Sequence, residues 1–158
     1  MNIGFIGTGN MGGALAAAAA RAVAEKNGHI GGRVLLCDSD TAKAEALAAR
    51  TGGEAVALAD IFDRSDIIFF GVKPQGLSAL SAEARGYISA RLEHGSAPLA
   101  VTMAAGVALE KFCGYFAGLP VIRIMPNTPV SVGEGMIFWC AGEGVSAAER
   151  GAFLAVMS

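Results

Sequence analysis

Ile3-Gly4-Phe5-Ile6-Gly7-Thr8-Gly9-Asn10-Met11-Gly12 is a short apolar run that breaks into Gly-x-Gly-x-x-Gly and then into an alanine-rich stretch around Ala14–Ala20. The order of these pieces carries more than the glycines alone. A buried strand that feeds a glycine turn and a helix N-terminus is the geometry that cradles a dinucleotide pyrophosphate. Gly7 permits the tight turn, Gly9 lets the backbone approach the phosphates, and Gly12 lets helix and strand pack closely. The helix then offers unpaired N–H groups and the positive end of its dipole to the anion.

Working outward from this turn, strand and helix signals alternate along the whole chain. A strand over residues 2–6 is followed by a long Ala/Leu helix over 10–27, in which small side chains allow a close approach to a sheet. The loop 28–32 precedes a second strand at 33–37. A helix at 41–50 is stopped by Gly52-Gly53, a short strand is expected at 54–57, and a brief helix at 58–64. Asp66-Ile67-Ile68-Phe69-Phe70 is continuously apolar after its first residue, as expected of a strand covered on both faces of a parallel sheet. A helix over 75–92, a strand at 99–103, a helix at 109–116, a strand at 121–125, a further strand at 135–140 and a helix at 146–157 complete the order. This alternation predicts a single α/β domain, a doubly wound, mainly parallel sheet with helices on both faces. The last helix reaches Ser158 without a stop signal, so either the chain frays there or the domain is cut inside a larger protein, and the apolar excess favours the cut.

Composition narrows the function classes. The 158 residues carry 53% apolar and 16% charged side chains, with a mean hydropathy of +0.50. That is apolar for a free-standing domain and points to surface meant to be covered, which favours a homo-oligomer in the full-length protein. A net charge of −2 leaves no electrostatic footprint for nucleic acid or an anionic membrane. No apolar run reaches the ~18 residues of a membrane span, and Met1-Asn2-Ile3 lacks the basic start of a signal peptide. Cys37, Cys113 and Cys140 are odd in number and widely spaced. They read as reduced, mostly buried thiols of a cytoplasmic protein, with no disulfide and no metal site. His29 and His94 each lie in polar connections and are expected at the surface.

In an open parallel sheet, ligands sit outside the carboxyl ends of the strands. The informative segments fall at such ends: Gly71-Val72-Lys73-Pro74, Thr102-Met103-Ala104-Ala105-Gly106-Val107, and Met125-Pro126-Asn127-Thr128-Pro129. Small residues and prolines at three successive ends would build a rigid wall for a flat ring, although each segment alone is also ordinary turn chemistry.

With those segments in hand, the chain resembles the N-terminal cofactor domain of the pyrroline-5-carboxylate reductase family. The resemblance is carried by Gly4-Phe5-Ile6-Gly7-Thr8-Gly9-Asn10-Met11, Val72-Lys73-Pro74-Gln75, Ala104-Ala105-Gly106-Val107 and Arg123-Ile124-Met125-Pro126-Asn127-Thr128-Pro129, collinear over nearly the whole chain. It implies a Rossmann-like fold and a nicotinamide cofactor, NADP or NAD. The cofactor would be held by Ile6, Gly7, Thr8, Gly9, Asn10 and Met11, by Val72, Lys73 and Pro74, and by Ala104 and Ala105. It also implies hydride transfer to the carbon of a small-molecule cyclic imine, giving proline. A protonated imine is already electrophilic, so no strong side-chain nucleophile is required, and the sequence offers no Ser-His-Asp or Cys-His set. Lys73 is a candidate proton donor, or its ammonium faces solvent while its backbone lines the cofactor. Asn127 and Thr128 are candidates for hydrogen bonds to the carboxamide or substrate, or they shape a proline-bracketed turn.

Two positions depart from the family pattern. After the second strand the chain reads Asp38-Ser39-Asp40, where relatives commonly carry neutral or basic residues and favour NADP. An acidic residue there accepts a ribose 2′-hydroxyl and, without an arginine beside it, repels a 2′-phosphate. Lys43, one helical turn along, is the nearest cation, and NADH is expected to bind at least as well as NADPH. Asp40 alternatively caps the helix that follows. Leu58 stands where the family often has an asparagine, removing one polar contact. The family also places a helical domain after the cofactor domain, supplying most of the substrate pocket and the dimer interface, so this chain alone is expected to reduce little imine. Two other readings remain open: a related NAD(P)-dependent imine or keto-acid reductase, and a non-catalytic nucleotide-sensing or interaction module.

Overall fold

A computed structural model describes residues 1–24, 31–127 and 136–157. Seven strands form one sheet: β1 (Ile3–Ile6), β2 (Val34–Cys37), β3 (Glu54–Ala55), β4 (Ile67–Phe70), β5 (Leu99–Thr102), β6 (Val121–Pro126) and β7 (Ile137–Ala141). Their spatial order is β3-β2-β1-β4-β5-β6-β7. All pairs are parallel except β6–β7. The expected doubly wound sheet is therefore present, with one antiparallel edge. That edge has a simple cause. Asn127 and Met136 bond to each other across the connection, the Asn127 N–H to the Met136 carbonyl at 3.3 Å and the Met136 N–H to Asn127 Oδ1 at 2.9 Å. Two strands tied this directly pair antiparallel, since a parallel pair needs a crossover.

The helices are α1 (Asn10–Ala24), α2 (Thr41–Thr51), α3 (Leu58–Arg64), α4 (Leu77–Glu93), α5 (Leu109–Tyr115) and α6 (Ala147–Met157), with a 3₁₀ turn at Pro74–Gly76 before α4. Most expected boundaries fall within two residues of these. The turn at Pro74 replaces the first residues expected of the fourth helix. The expected continuation of α1 to residue 27, the loop 28–32 up to Ile30 and His29 fall on residues outside those described.

Alternate side chains of the central strands feed two separate cores. Ile3, Phe5, Val34, Leu36, Phe69 and Val101 face α1, α2 and α6, where Leu15, Ala16, Leu47 and Phe153 cover them. Ile6, Leu35, Ile68, Phe70 and Ala100 face α3, α4 and α5, meeting Phe62, Leu77, Ile88 and Phe112. All four residues of β4 are buried, which is why its sequence reads as an unbroken apolar run. On the first face Phe5 and Phe69 stack at 4.9 Å.

Two buried polar atoms, the Ser65 hydroxyl and Arg123 Nε, stand against this packing. Ser65 is fully buried, and its hydroxyl finds no partner among the described residues. A buried donor without an acceptor costs more than its apolar replacement. Ser65→Ala is therefore expected to leave stability unchanged or raise it by about 1 kcal/mol in urea unfolding; a loss of that size would show that the hydroxyl is satisfied in solution.

The cysteines differ from expectation. Cys37 and Cys113 are only half-buried and Cys140 is exposed, all three as free thiols. Cys140 lies on β7, the last strand of the sheet order, and the burial expected of it fails because an edge strand has a neighbour on one side only. His94 is exposed as expected. The apolar surplus is not spread evenly. Met125 and Phe138, paired across β6 and β7, are 56% and 67% exposed, and Met136 beside them is 60% exposed.

Candidate functional site

The chain runs from β1 outward through β2 to β3, then crosses back to place β4 on the other side of β1. That reversal opens a crevice at the carboxyl ends of β1 and β4, the position where α/β sheets take ligands. The residues at those two ends are Gly7 and Gly71, and the backbone there is tightly laced. The Gly7 N–H donates to the Cys37 carbonyl and the Gly71 N–H to the Ile6 carbonyl, each at 2.8 Å.

The glycines are forced by contact. Gly7 has φ +90°, and a Cβ on it would lie 2.8 Å from the Gly71 carbonyl carbon. A Cβ on Gly12 would lie 2.1 Å from the Gly7 oxygen, and one on Gly71 would lie 2.7 Å from that same oxygen. The three backbones thus meet without room for a side chain. Gly9 is the opposite case: it is exposed, and a Cβ placed on it would have nothing within 4 Å. Space is left there for something to approach the backbone. Helix α1 begins at Asn10, so its first N–H groups lack intrahelical acceptors. Gly13, whose N–H donates to the Gly9 carbonyl at 2.7 Å, closes the first turn.

Because β2, β1, β4, β5 and β6 are neighbours and parallel, the expected site residues gather along one edge of the sheet. Ile6–Met11 follow β1, Asp38 and Asp40 follow β2, Val72-Lys73-Pro74 follow β4, Ala104-Ala105 follow β5, and Asn127 follows β6. Ala104 is buried, with its N–H on the buried Thr102 hydroxyl at 3.3 Å, and Ala105 is exposed beyond it. Lys73 is exposed and precedes the 3₁₀ turn, its carbonyl accepting the Gly76 N–H at 2.9 Å. Asn127 spends its side-chain oxygen on Met136, which is turn shaping. Thr128 lies outside the described residues. Leu58 opens α3 and packs against the second core.

Asp38 is the most engaged polar group of the edge. Its Oδ2 accepts the Thr8 N–H at 2.7 Å and the Thr8 hydroxyl at 2.9 Å, and its Oδ1 accepts the Asp40 N–H at 3.0 Å. Burial alone pushes this carboxyl up, but the hydrogen bonds from Thr8 and Asp40, helped by Lys43, outweigh it and hold the group below the ordinary carboxylate range. Asp40 occupies the position before α2 yet makes no side-chain cap bond. Its carboxylate pairs with Lys43 at 3.6 Å instead, which corrects the capping role. A groove of about 600 Å³ runs from Thr8, Gly9 and Asn10 between α1 and α2 toward Lys43 and Arg50. It leaves two cations on the α2 side of the turn.

A second carboxylate is held low at the opposite edge of the fold. The Arg64 guanidinium donates twice to Glu54, at 2.9 and 2.8 Å, and with Arg33 it brings the Glu54 carboxyl down to about 2. The unfolded chain binds protons more readily than the folded one at Glu54 and Asp38. The stability they contribute is therefore complete above about pH 4.5 and is lost as pH falls toward 2. Glu54→Gln is expected to flatten the fall of the urea midpoint between pH 4.5 and 2; an unaltered acid slope would refute it. Partial exposure keeps the effect small.

Two features were not legible in the sequence. The role of Gly71 depends on β4 lying beside β1, and the Thr8–Asp38 bonds join residues 30 apart. The only sequence signal for the first is that Gly71 ends its strand as Gly7 ends β1. Among the described residues no cluster of His, Cys, Asp or Glu has metal-binding geometry, and no helix is long and apolar enough to cross a membrane.

The sequence profile of a family described as NADP oxidoreductase, coenzyme F420-dependent, matches residues 2–92. A pyrroline-5-carboxylate reductase of Corynebacterium melassecola is 42% identical over 78 residues, 47% of this chain and 27% of that one. The one of Treponema pallidum is 27% identical over 99% of this chain and 57% of its own length. The chain thus spans about half or less of these relatives. A crystal structure of a Plasmodium falciparum pyrroline carboxylate reductase with NADP bound superposes with a TM-score of 0.78 at 22% identity, over 99% of this chain and 54% of that one, a likeness of fold. With its profile match covering more than half of the sequence, the chain belongs to the NADP oxidoreductase, coenzyme F420-dependent family, and it is similar to pyrroline-5-carboxylate reductases over about half or less of their length.

Proposed function

We propose that this chain is the cofactor-binding half of a reductase that passes a hydride from NADH or NADPH to the ring carbon of 1-pyrroline-5-carboxylate, yielding proline. The observation that carries the reading is the glycine turn at the β1–β4 crevice, where Gly7, Gly12 and Gly71 pack backbone to backbone while Gly9 stays open. Relatives named pyrroline-5-carboxylate reductase, and a structural neighbour that binds NADP, support it.

The residues present fit a dinucleotide. The open backbone at Gly9 and the first N–H groups of α1 suit a pyrophosphate, and Asp38 keeps acceptor capacity on Oδ1 for a ribose hydroxyl. When bound, the nicotinamide supplies the hydride, and the imine carbon accepts it. The chain's own task is to bind, orient and exclude water. Gly9, Asn10 and Met11 hold the phosphates. Val72, Lys73 and Pro74 line one side of the crevice, and Ala104 and Ala105 the next. Lys73, Asn127 and Thr128 are the candidates for holding a proton or a substrate oxygen. Asn127, already bonded to Met136, fits a turn-shaping role better.

On this reading the part of the relatives that the chain does not span completes the imine pocket. The reductase works in the cytoplasm as a homo-oligomer, with neither nucleic acid nor membrane as partner. The exposed Met125, Met136 and Phe138 are consistent with a covered face. Parallel calorimetric titrations with NADH and NADPH test the cofactor reading. Binding of either is expected, with NADH at least as tight because Asp38 opposes a 2′-phosphate. A clear NADPH preference would overturn the role given to Asp38, and no binding of either would overturn the cofactor site.

A further inference from the structure

Thr8 stands between two glycines that have no side chains of their own to fix them. Gly7 sits at φ +90°, and the side of Gly9 where a Cβ would stand is open, yet the turn has to present the N–H groups of Gly9, Asn10 and Met11 in one orientation. What holds it comes from the end of β2. The Thr8 N–H and hydroxyl both donate to a single oxygen of Asp38, at 2.7 and 2.9 Å, and the other oxygen is pinned by the Asp40 N–H at 3.0 Å. The Gly7 N–H on the Cys37 carbonyl adds a third tie to the same strand end. Thr8 therefore has no N–H to offer a phosphate.

We propose that Asp38 is a positioning residue for the phosphate-binding turn, acting through Thr8, and that ribose and pyrophosphate recognition are coupled through this one carboxylate. The inference rests on the dinucleotide reading and goes beyond it. A carboxylate has about four acceptor sites. Two are taken by Thr8 and one by Asp40, so a ribose hydroxyl takes the remaining one on Oδ1 and leaves the tie to Thr8 intact. A 2′-phosphate repels the carboxylate and works against the same bonds. It is penalised at the ribose and again at the turn.

The test uses inorganic pyrophosphate, which has no ribose, beside NADH. If Asp38 only contacts ribose, Asp38→Ala leaves pyrophosphate binding unchanged or strengthens it, because a negative charge beside an anion site is gone. The positioning role predicts the opposite sign: pyrophosphate binds about tenfold more weakly, the scale of lost hydrogen bonds to a charged group. Thr8→Val keeps the carboxylate and the N–H bond and removes one hydroxyl donor, and it is expected to cost about threefold for both ligands. Asp38→Ala that loses NADH while keeping pyrophosphate overturns the proposal and leaves the cofactor reading standing. If Asp38→Ala does not fold, as judged by its thermal transition, Thr8→Val decides, and unaltered pyrophosphate binding there overturns the proposal. Failure of the unaltered protein to bind pyrophosphate or either dinucleotide removes both readings.

Discussion

Gly12→Ala is expected to destroy dinucleotide binding and to destabilise the fold by about 3 kcal/mol, the upper range for forcing atoms into a packed site. The added methyl would lie 2.1 Å from the Gly7 oxygen, which is main chain and has no rotamer to yield. Relief requires α1 to move away from the β1–β4 crevice, and Gly71, whose own Cβ position is 3.1 Å from the Gly12 Cα, moves with it. Gly9→Ala, three residues earlier in the same motif, is expected to behave in the opposite way. Its Cβ meets nothing and its φ lies outside the left-handed region. Stability should hold or rise by up to about 1 kcal/mol through a stiffer unfolded chain. Dinucleotide binding should weaken by about tenfold or more as the phosphate loses its close approach to the backbone. Urea unfolding and calorimetric titration of the two variants separate a glycine that builds the turn from one that serves the ligand. Equal stability losses in both would mean that the motif is structural throughout.

That contrast also marks what sequence can carry. The turn, the start of α1 at Asn10, and the continuous burial of β4 follow from local pattern, since each is fixed by neighbours within a few residues. The gathering of four loop segments on one edge was legible too, because parallel strands send all their carboxyl ends the same way. Asp40 shows where local reading fails. It has the residue type and position of a helix cap, but Lys43 one turn later competes for its carboxylate. The orientation of β7 goes with the Asn127–Met136 bonds, which join the ends of the two strands and belong to neither alone. Gly71 and the Thr8–Asp38 tie were out of reach for the same reason. Each is defined by which strand lies beside β1, a fact that only the assembled sheet supplies.

The second face of the sheet sets the other large effect. Phe70 is fully buried at the carboxyl end of β4. Its ring lies 6.5 Å from Phe62 of α3, 5.2 Å from Phe112 of α5 in an edge arrangement, and 4.7 Å from Phe116. One side chain therefore joins two helices to the strand whose next residue is Gly71. Phe70→Ala removes these contacts and leaves a cavity lined by rings that pack rigidly, so collapse around it is limited. The expected loss is about 4 kcal/mol, a large fraction of the ~5–15 kcal/mol total of an ordinary domain. The effect should reach the crevice, because Gly71 is placed by β4 and touches both Gly7 and Gly12. NADH affinity is therefore expected to fall in Phe70→Ala even under conditions where the variant is folded. Phe70→Leu, which keeps most of the volume, should lose less than half as much stability and retain binding. A loss below about 1 kcal/mol for the alanine variant would mean that the aromatic cluster closes over the gap. Full NADH affinity alongside a large stability loss would mean instead that β1 and α1 hold the crevice without support from this face.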